Sequence, residues 1–296
     1  MINYTLIISH YNMPTKLERL IKSLPMRQDL QVIVVDDCSN KQIEELNQIK
    51  LNYNWIEWYN TERNSGAGRA RNIGLKYAKG KSIIFADSDD YFNLSLNAIL
   101  DKYIDNDFDI IYSYTTALNE KTFTCSSYLN YLNNQIKRSN NDSNKIKYKF
   151  PYPWSKIVKL KLILENKIEF EESKVSNDVK FSTLCDYFSK RNKIESTAFY
   201  CYMVNDESVS RHLDPEKTFI RLKIDAWRWN FIRKQNIKSI KIEKILGPVF
   251  DKLIQLKERG INRKALKIFK EQKISIYFYI YLFVRARVKR ILTSNK

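Results

Sequence analysis

Two clusters of acidic residues have the types and spacing to do chemistry. Asp87-Ser88-Asp89-Asp90 places three carboxylates in four residues, directly after the apolar run Ile83-Ile84-Phe85-Ala86. Carboxylates crowded at the end of a buried strand repel one another and need a cation. A divalent metal that also grips phosphate oxygens would supply it. An EF-hand is excluded, because Phe92 stands at the sixth loop position and Ala98 at the twelfth. The alternative is a solvated turn with Asp90 near a helix N-terminus, where acids are favoured. Asp36-Asp37 likewise closes the run Val32-Ile33-Val34-Val35. A carboxylate there could accept the imide N–H of a base such as uracil, or could cap the turn with Ser39 and Asn40.

A third feature is Asn64-Ser65-Gly66-Ala67-Gly68-Arg69-Ala70-Arg71-Asn72-Ile73-Gly74. Four of the six glycines lie between Gly66 and Gly80. A glycine-rich turn opening a helix presents free N–H groups to an anion, and Arg71 lies one turn in. It is not a dinucleotide-binding fingerprint, since it does not follow the first strand and lacks the third glycine. Gly74 to Gly80-Lys81-Ser82 is not a P-loop, since five residues separate the glycines and a strand follows. Plain turn and helix-cap roles are the alternative.

The elements that must hold these residues alternate in period. Tyr4 to Ser9, Val32 to Val35, Trp55 to Tyr59, Ser82 to Ala86 and Ile110 to Tyr114 read as strands. Pro14 with Leu17, Leu20, Ile21 and Leu24 marks a helix, as do Ile43 to Ile49, Ala67 to Ala78 and Leu96 to Ile104. Strands alternating with helices predict an α/β fold, a mostly parallel sheet flanked by helices. Such sheets bind ligands at the carboxyl ends of their strands, where both acidic clusters fall. Residues 126–149 read as a surface loop or lid. Helices are expected from Ser155 to Leu164 and from Asn177 to Phe188, with a strand around Thr197 to Tyr202 and helices from Pro215 onward.

Taken together, Leu6 to Asn12, Val34 to Ser39, Asn64 to Gly74 and Phe85 to Asp90 resemble the family 2 glycosyltransferases, inverting enzymes of the Rossmann-like GT-A fold. The resemblance is strong over residues 1–115, weaker to 212 and absent beyond. It implies a catalytic domain over 1–212, with a nucleotide-sugar half (1–115) and an acceptor half (116–212). It implies that Ser9 and Tyr11 line a nucleobase pocket and that Asp37 holds the uracil edge. Gly68, Arg71, Asp87 and Ser88 would lie at the nucleotide sugar. Asp89 would ligate the Mn²⁺ or Mg²⁺ that bridges the diphosphate. His10 stands where the family has a small residue or proline and is given no catalytic role.

The family also uses an acid that opens a helix to deprotonate the acceptor. Asp178 stands there, with Asn177 where a Glu is usual; a simple helix cap is the alternative. Trp154 matches a Trp-x-Lys segment and is expected either to stack on an acceptor sugar or to fill the core. His212 is an expected late metal ligand.

Charge separates the chain into two parts. Residues 1–212 carry 29 basic and 26 acidic side chains, whereas 213–296 carry 22 and 7. A uniform basic coat is excluded, and one end of the molecule is set to meet an anionic partner. In the basic helical extension, Ile276 to Phe283 run into Arg285, Arg287, Lys289 and Arg290. An apolar stripe beside cations suits an anionic membrane surface; packing on the catalytic domain or on a second subunit, as a homo-oligomer, is the alternative. The longest apolar run, Ile274 to Val284, is too short to span a bilayer. Four scattered cysteines make no disulfide framework or zinc site, and the start shows no signal peptide.

The expected function is transfer of a sugar from a nucleoside diphosphate, UDP first, to a glycan or lipid-linked glycan of a bacterial surface polysaccharide. The expected location is the cytoplasm, peripheral on the inner membrane. A nucleic-acid-binding protein is the rival suggested by the basic end, but no such motif is present. A sugar nucleotidyltransferase is a second rival, lacking its glycine-rich N-terminal loop.

Overall fold

The protein was analysed as a computed structural model that describes residues 1–205, 214–240, 243–256 and 260–294. Strands β1 (Tyr4–His10) and β2 (Leu30–Asp36) are buried at every position. That is the environment a continuous apolar run demands when helices cover both faces of a sheet. Helix α1 (Pro14–Lys22) joins them and buries Leu17, Leu20 and Ile21, as its spacing predicts. The chain continues through α2 (Ile43–Asn52), β3 (Glu57–Asn60), α3 (Ala67–Tyr77) and β4 (Ser82–Asp87). Next come β5 (Tyr91–Phe92), α4 (Ser95–Lys102), β6 (Ile110–Asn119), α5 (Asn130–Arg138) and β7 (Lys156–Lys159). Helices α6 (Leu160–Glu165) and α7 (Asn177–Phe188) then precede β8 (Asn192–Val204).

The eight strands form one sheet in the order β3-β2-β1-β4-β7-β6-β8-β5. Strands β3, β2, β1 and β4 are parallel, β7 and β5 run antiparallel to their neighbours, and β6 pairs β8 in parallel. The chain builds outward from β1 to β3 and then crosses back to lay β4 on the other side of β1. That reversal is a topological switch point, where such sheets open a crevice for a ligand. Register places Ser9 beside Asp87 and His10 beside Asp36 at this crevice.

Two expectations are corrected. Residues 126–149 are not a plain loop: α5 buries Ile136, and Ile146 and Tyr148 are buried beyond it. The helix expected from Ser155 to Leu164 is a strand followed by a short helix. Lys156–Lys159 is drawn between β4 and β6 and completes the ladder, which overrides the helical spacing of its apolar residues.

Among the described residues beyond 214 the elements are helices, as expected: α8 (Pro215–Lys234), α9 (Glu243–Leu253), α10 (Ile261–Glu271) and α11 (Ile276–Ser294). Leu222, Trp229, Leu246, Phe250 and Phe269 build a separate core that also takes in Tyr148. Helix α8 packs on α7; Tyr187 donates to Gln235 at 2.9 Å, and the Arg228 guanidinium donates to the Tyr148 carbonyl. No helix among the described residues is long and apolar enough to cross a membrane. Cys185 and Cys201 are buried, Cys38 and Cys125 exposed, and none is in a disulfide.

Gly80 packs against the central strand. A Cβ there would lie 2.5 Å from the Thr5 nitrogen and the Tyr4 carbonyl carbon, backbone atoms that cannot move aside. Gly80→Ala is therefore expected to lower stability by about 1–3 kcal/mol, read as a fall in the urea midpoint without a change in slope.

Candidate active site

The crevice is built from the ends of β1, β2 and β4. His10 and Asp36 close β1 and β2 and are both buried. The Met13 N–H donates to His10 Nε2 at 3.2 Å, so Nδ1 carries the proton donated to Asp36 at 2.8 Å. Asn12, in the left-handed region, accepts the N–H groups of Asn40 and Lys41 at 2.9 Å. These bonds stitch the two loops together and leave Ser9 mostly buried and Tyr11 36% exposed at the rim.

The glycine turn behaves differently from the expected anion cradle. The N–H groups of Ser65 and Gly66 point at a carboxylate of the protein itself: Asp37 accepts them at 2.9 and 2.6 Å, and accepts the Thr61 hydroxyl at 2.9 Å. Asp37 is 3% exposed and closes the start of α3, where a negative charge is favoured. Gly68 is also re-read. A Cβ there would meet the Glu171 carbonyl oxygen at 2.2 Å, so glycine is required for close passage of the segment before α7.

Arg71 is 4% exposed. Its guanidinium pairs with Asp87, donates to Asn177 Oδ1 at 2.8 Å and lies 5.3 Å from the Phe170 ring centre. It thereby ties the Asp87 turn to the start of α7. Asn177, which replaces the family's Glu, supplies a neutral acceptor to this cation.

Each of the three clustered carboxylates has a different environment. Asp87 has Arg71. Asp90 is buried and accepts the Tyr200 hydroxyl at 2.6 Å and the Met203 N–H at 2.7 Å. The same Tyr200 oxygen accepts the Asp87 N–H at 3.1 Å, so one phenol clamps both ends of the turn. Burial and the neighbouring carboxylates hold Asp90 well above the usual carboxylate range. Ser88 is buried between them. Asp89 has no side-chain partner among the described residues; burial, then the charge of Asp87, pushes it up to about 6.

Oxygen donors with surplus negative charge suit Mg²⁺ or Mn²⁺. Asp89, beside Asp87, would hold such an ion, and a diphosphate would complete its shell. Among the described residues no three His, Cys, Asp or Glu side chains converge as a ready-made metal cage. His212 lies outside the described residues.

Asp178 sits in the first turn of α7, preceded by Ser176 in the left-handed region. Burial pushes its carboxyl up to about 6; the Arg71 charge opposes that shift, and the Asp87 charge adds to it. The expected base and the acidic turn therefore share one electrostatic neighbourhood. Trp154 is 6% exposed, stacked on Tyr152 at 4.6 Å and on Tyr200 at 5.7 Å between ring centres. It lies in the core, and the half-buried Tyr152 packs against it. The sequence reading missed Tyr152, Tyr200 and α8's Asp225. Burial drives Asp225 up to about 7 against Arg228 and Arg221, with the Asp178 charge adding to the rise. Only the pattern Tyr152-Pro-Trp154 carried any signal for the first; nothing in the local sequence marked the others.

A sequence profile for glycosyl transferase family 2 matches residues 5–163. The chain is 27% identical over 241 residues to the poly(ribitol-phosphate) beta-N-acetylglucosaminyltransferase TarS of Staphylococcus aureus, covering 76% of this chain and 40% of that protein. It is 31% identical over 223 residues to TarP of the same organism, a poly(ribitol-phosphate) beta-N-acetylglucosaminyltransferase, covering 72% and 66%. The crystal structure of S. aureus TarS 1–349 in complex with UDP-GlcNAc superimposes with a TM-score of 0.63 over 96% of this chain and 79% of that one, at 22% identity. The shared architecture is the GT-A fold with a helical C-terminal region. The chain spans about two fifths of the full length of TarS.

Replacing Asp178 separates stability from chemistry. The buried carboxylate costs free energy in its charged form, which exists above a pH of about 6. Asp178→Asn is expected to melt higher than the parent at pH 7.5. The gain should shrink as pH falls below about 6 and vanish only below about 3.8, where the carboxyl is neutral in the folded and unfolded chain alike; calorimetry across that range checks this.

Proposed function

The chain belongs to glycosyl transferase family 2, and on that premise we propose that it moves one sugar from UDP to a hydroxyl of a surface glycopolymer, inverting the anomeric carbon. The observation that carries this reading is the Arg71 guanidinium, which pairs with Asp87 and with Asn177, the residue before Asp178, and so ties a carboxyl with a raised pKa to the acidic turn at the switch point. An inverting transfer needs one base on the side of the sugar opposite the leaving diphosphate. Asp178 takes the proton of the acceptor hydroxyl as its oxygen attacks the anomeric carbon. The bond to the diphosphate breaks with its electron pair, and UDP leaves.

Ser9 and Tyr11 flank the nucleobase, and Asp37 keeps one oxygen lone pair for the uracil edge while ordering the α3 turn. Asp89 holds the divalent cation, whose chemistry when bound is to neutralise the charge developing on the diphosphate. Arg71 acts through Asp87, fixing its carboxylate toward the donor. Tyr152 receives the acceptor. Poly(ribitol-phosphate), the acceptor named for TarS and TarP, supplies the acceptor class: a polyol phosphate or a lipid-linked glycan of teichoic acid, capsule or a related polymer. Its place of work is the cytoplasmic face of the membrane.

Transfer or slow hydrolysis of a UDP-sugar with Mn²⁺ should fall about 100-fold or more in Asp178→Asn, with UDP affinity unchanged. In Asp89→Ala, UDP binding should lose its dependence on Mn²⁺. Full activity in either variant removes the role given to that residue. Because the base must be ionised, the turnover rate of the parent should fall as pH drops through about 6, and no such limb would contradict the assignment.

A further inference from the structure

Asp87 and Asp90 are held through their side chains, and Asp89 is held through its main chain. The Arg19 guanidinium of α1 donates to the Asp89 carbonyl, and its central carbon lies 5.7 Å from the centre of the Tyr91 ring. One turn on, Ser23, the C-cap of α1, accepts the Phe92 N–H on its hydroxyl at 3.0 Å. At about 100° per residue, Lys16, Arg19 and Ser23 fall within roughly 60° of arc. This face of α1 meets the acidic turn, while Leu17, Leu20 and Ile21 of the same helix are buried in the core.

The guanidinium is itself anchored. Glu120, just past β6, lies 2.6 Å from the Lys16 ammonium and 3.9 Å from Arg19. The Glu120 N–H donates at 3.0 Å to the carbonyl of Val204, the last residue of β8. Strand β8 also supplies the Met203 N–H and the Tyr200 hydroxyl to Asp90. The turn is thus gripped by β8 on one side and by α1 on the other, with Glu120 joining the two. The charge of Arg19 by itself would repel a divalent cation at Asp89. Its planar fork is what such a site can use, because it takes the main-chain carbonyl and leaves the carboxylate to a ligand.

We propose that Arg19 is a positioning residue for Asp89: by holding the Asp89 carbonyl it sets the orientation in which the carboxylate receives the divalent cation, and Glu120 holds Arg19 in place. This deepens the transferase reading and rests on the part of it that gives the cation to Asp89.

The test is Mn²⁺ binding to the full chain in saturating UDP, without sugar or acceptor, read from the electron paramagnetic resonance signal of unbound Mn²⁺. Arg19→Met and Arg19→Lys should each weaken Mn²⁺ binding about tenfold, and melting curves confirm that the variants fold. A role through charge alone predicts the opposite pattern, tighter binding in Arg19→Met and no change in Arg19→Lys. Ser23→Ala loosens the same turn at Phe92 and should keep the parent's Mn²⁺ affinity. In an Asp89→Ala background, Arg19→Met should cause no further loss of UDP affinity at fixed Mn²⁺, since Arg19 acts through Asp89. Unchanged or tighter Mn²⁺ binding in Arg19→Met, an equal loss in Ser23→Ala, or additive losses in the double variant overturn the proposal. If Asp89→Ala loses Mn²⁺ binding and Arg19→Met does not, only the role of Arg19 falls. If Asp89→Ala binds Mn²⁺ like the parent, the cation assignment itself falls and this proposal with it.

Discussion

Three carboxylates in four residues cannot share the end of a buried strand unless each is compensated separately. The Asp87–Asp90 turn meets this constraint with unlike partners. Asp87 has a buried guanidinium, and Asp90 has a phenol and a backbone N–H from β8. Asp89 has Asp87 beside it, with a backbone hydrogen bond and then the charge of Lys16 to relieve it. The two paired carboxylates hold the turn in place, and the third is left without a side-chain partner among the described residues. Much of the surrounding structure follows from these pairings. Arg71 can also reach Asn177 because α3 starts close to the segment before α7, which requires Gly68. Tyr200 can clamp the turn only because β8 runs thirteen residues, past β6 to β5.

Asp178 depends on the same arrangement. The cation that neutralises Asp87 also binds Asn177, the residue before Asp178, so the acidic turn and the start of α7 are tied by one guanidinium. Glutamate at 177 would pair with Arg71 and compete with Asp87 for it; the neutral amide leaves the charge with Asp87. Helix α8 packs on α7 and brings Asp225 and Arg228 into the electrostatic surroundings of Asp178. The near-neutral body and the basic extension meet at the chemistry.

The sequence carried the elements whose signal is local. Both buried strands next to the crevice, the start of α7 at Asn177 and the acidic turn after β4 were legible, because continuous apolar runs and helix-opening acids need no distant partner to be recognised. What was not legible depends on contacts far along the chain. Lys156–Lys159 has helical neighbours and becomes a strand because β4 and β6 leave a gap for it. Trp154 is half of a familiar pair of letters, but its burial between Tyr152 and Tyr200 is set by β8. The glycine turn was read as presenting N–H groups to an anion, or as a plain turn, and the anion it meets is Asp37, some thirty residues earlier. Asp225 lies in a region with no catalytic pattern and reaches the site only through the packing of α8 on α7.

The central claim is that the turn after β4 is the donor end of a site whose base is Asp178. Crystals of Asp178→Asn soaked with a UDP-sugar and MnCl₂ test it most directly, through the anomalous scattering of manganese. The account predicts a peak in coordinating contact with Asp89 and the diphosphate, uridine against Ser9 and Tyr11, and the anomeric carbon facing residue 178. A manganese peak away from Asp89, or a sugar turned from residue 178, would contradict it.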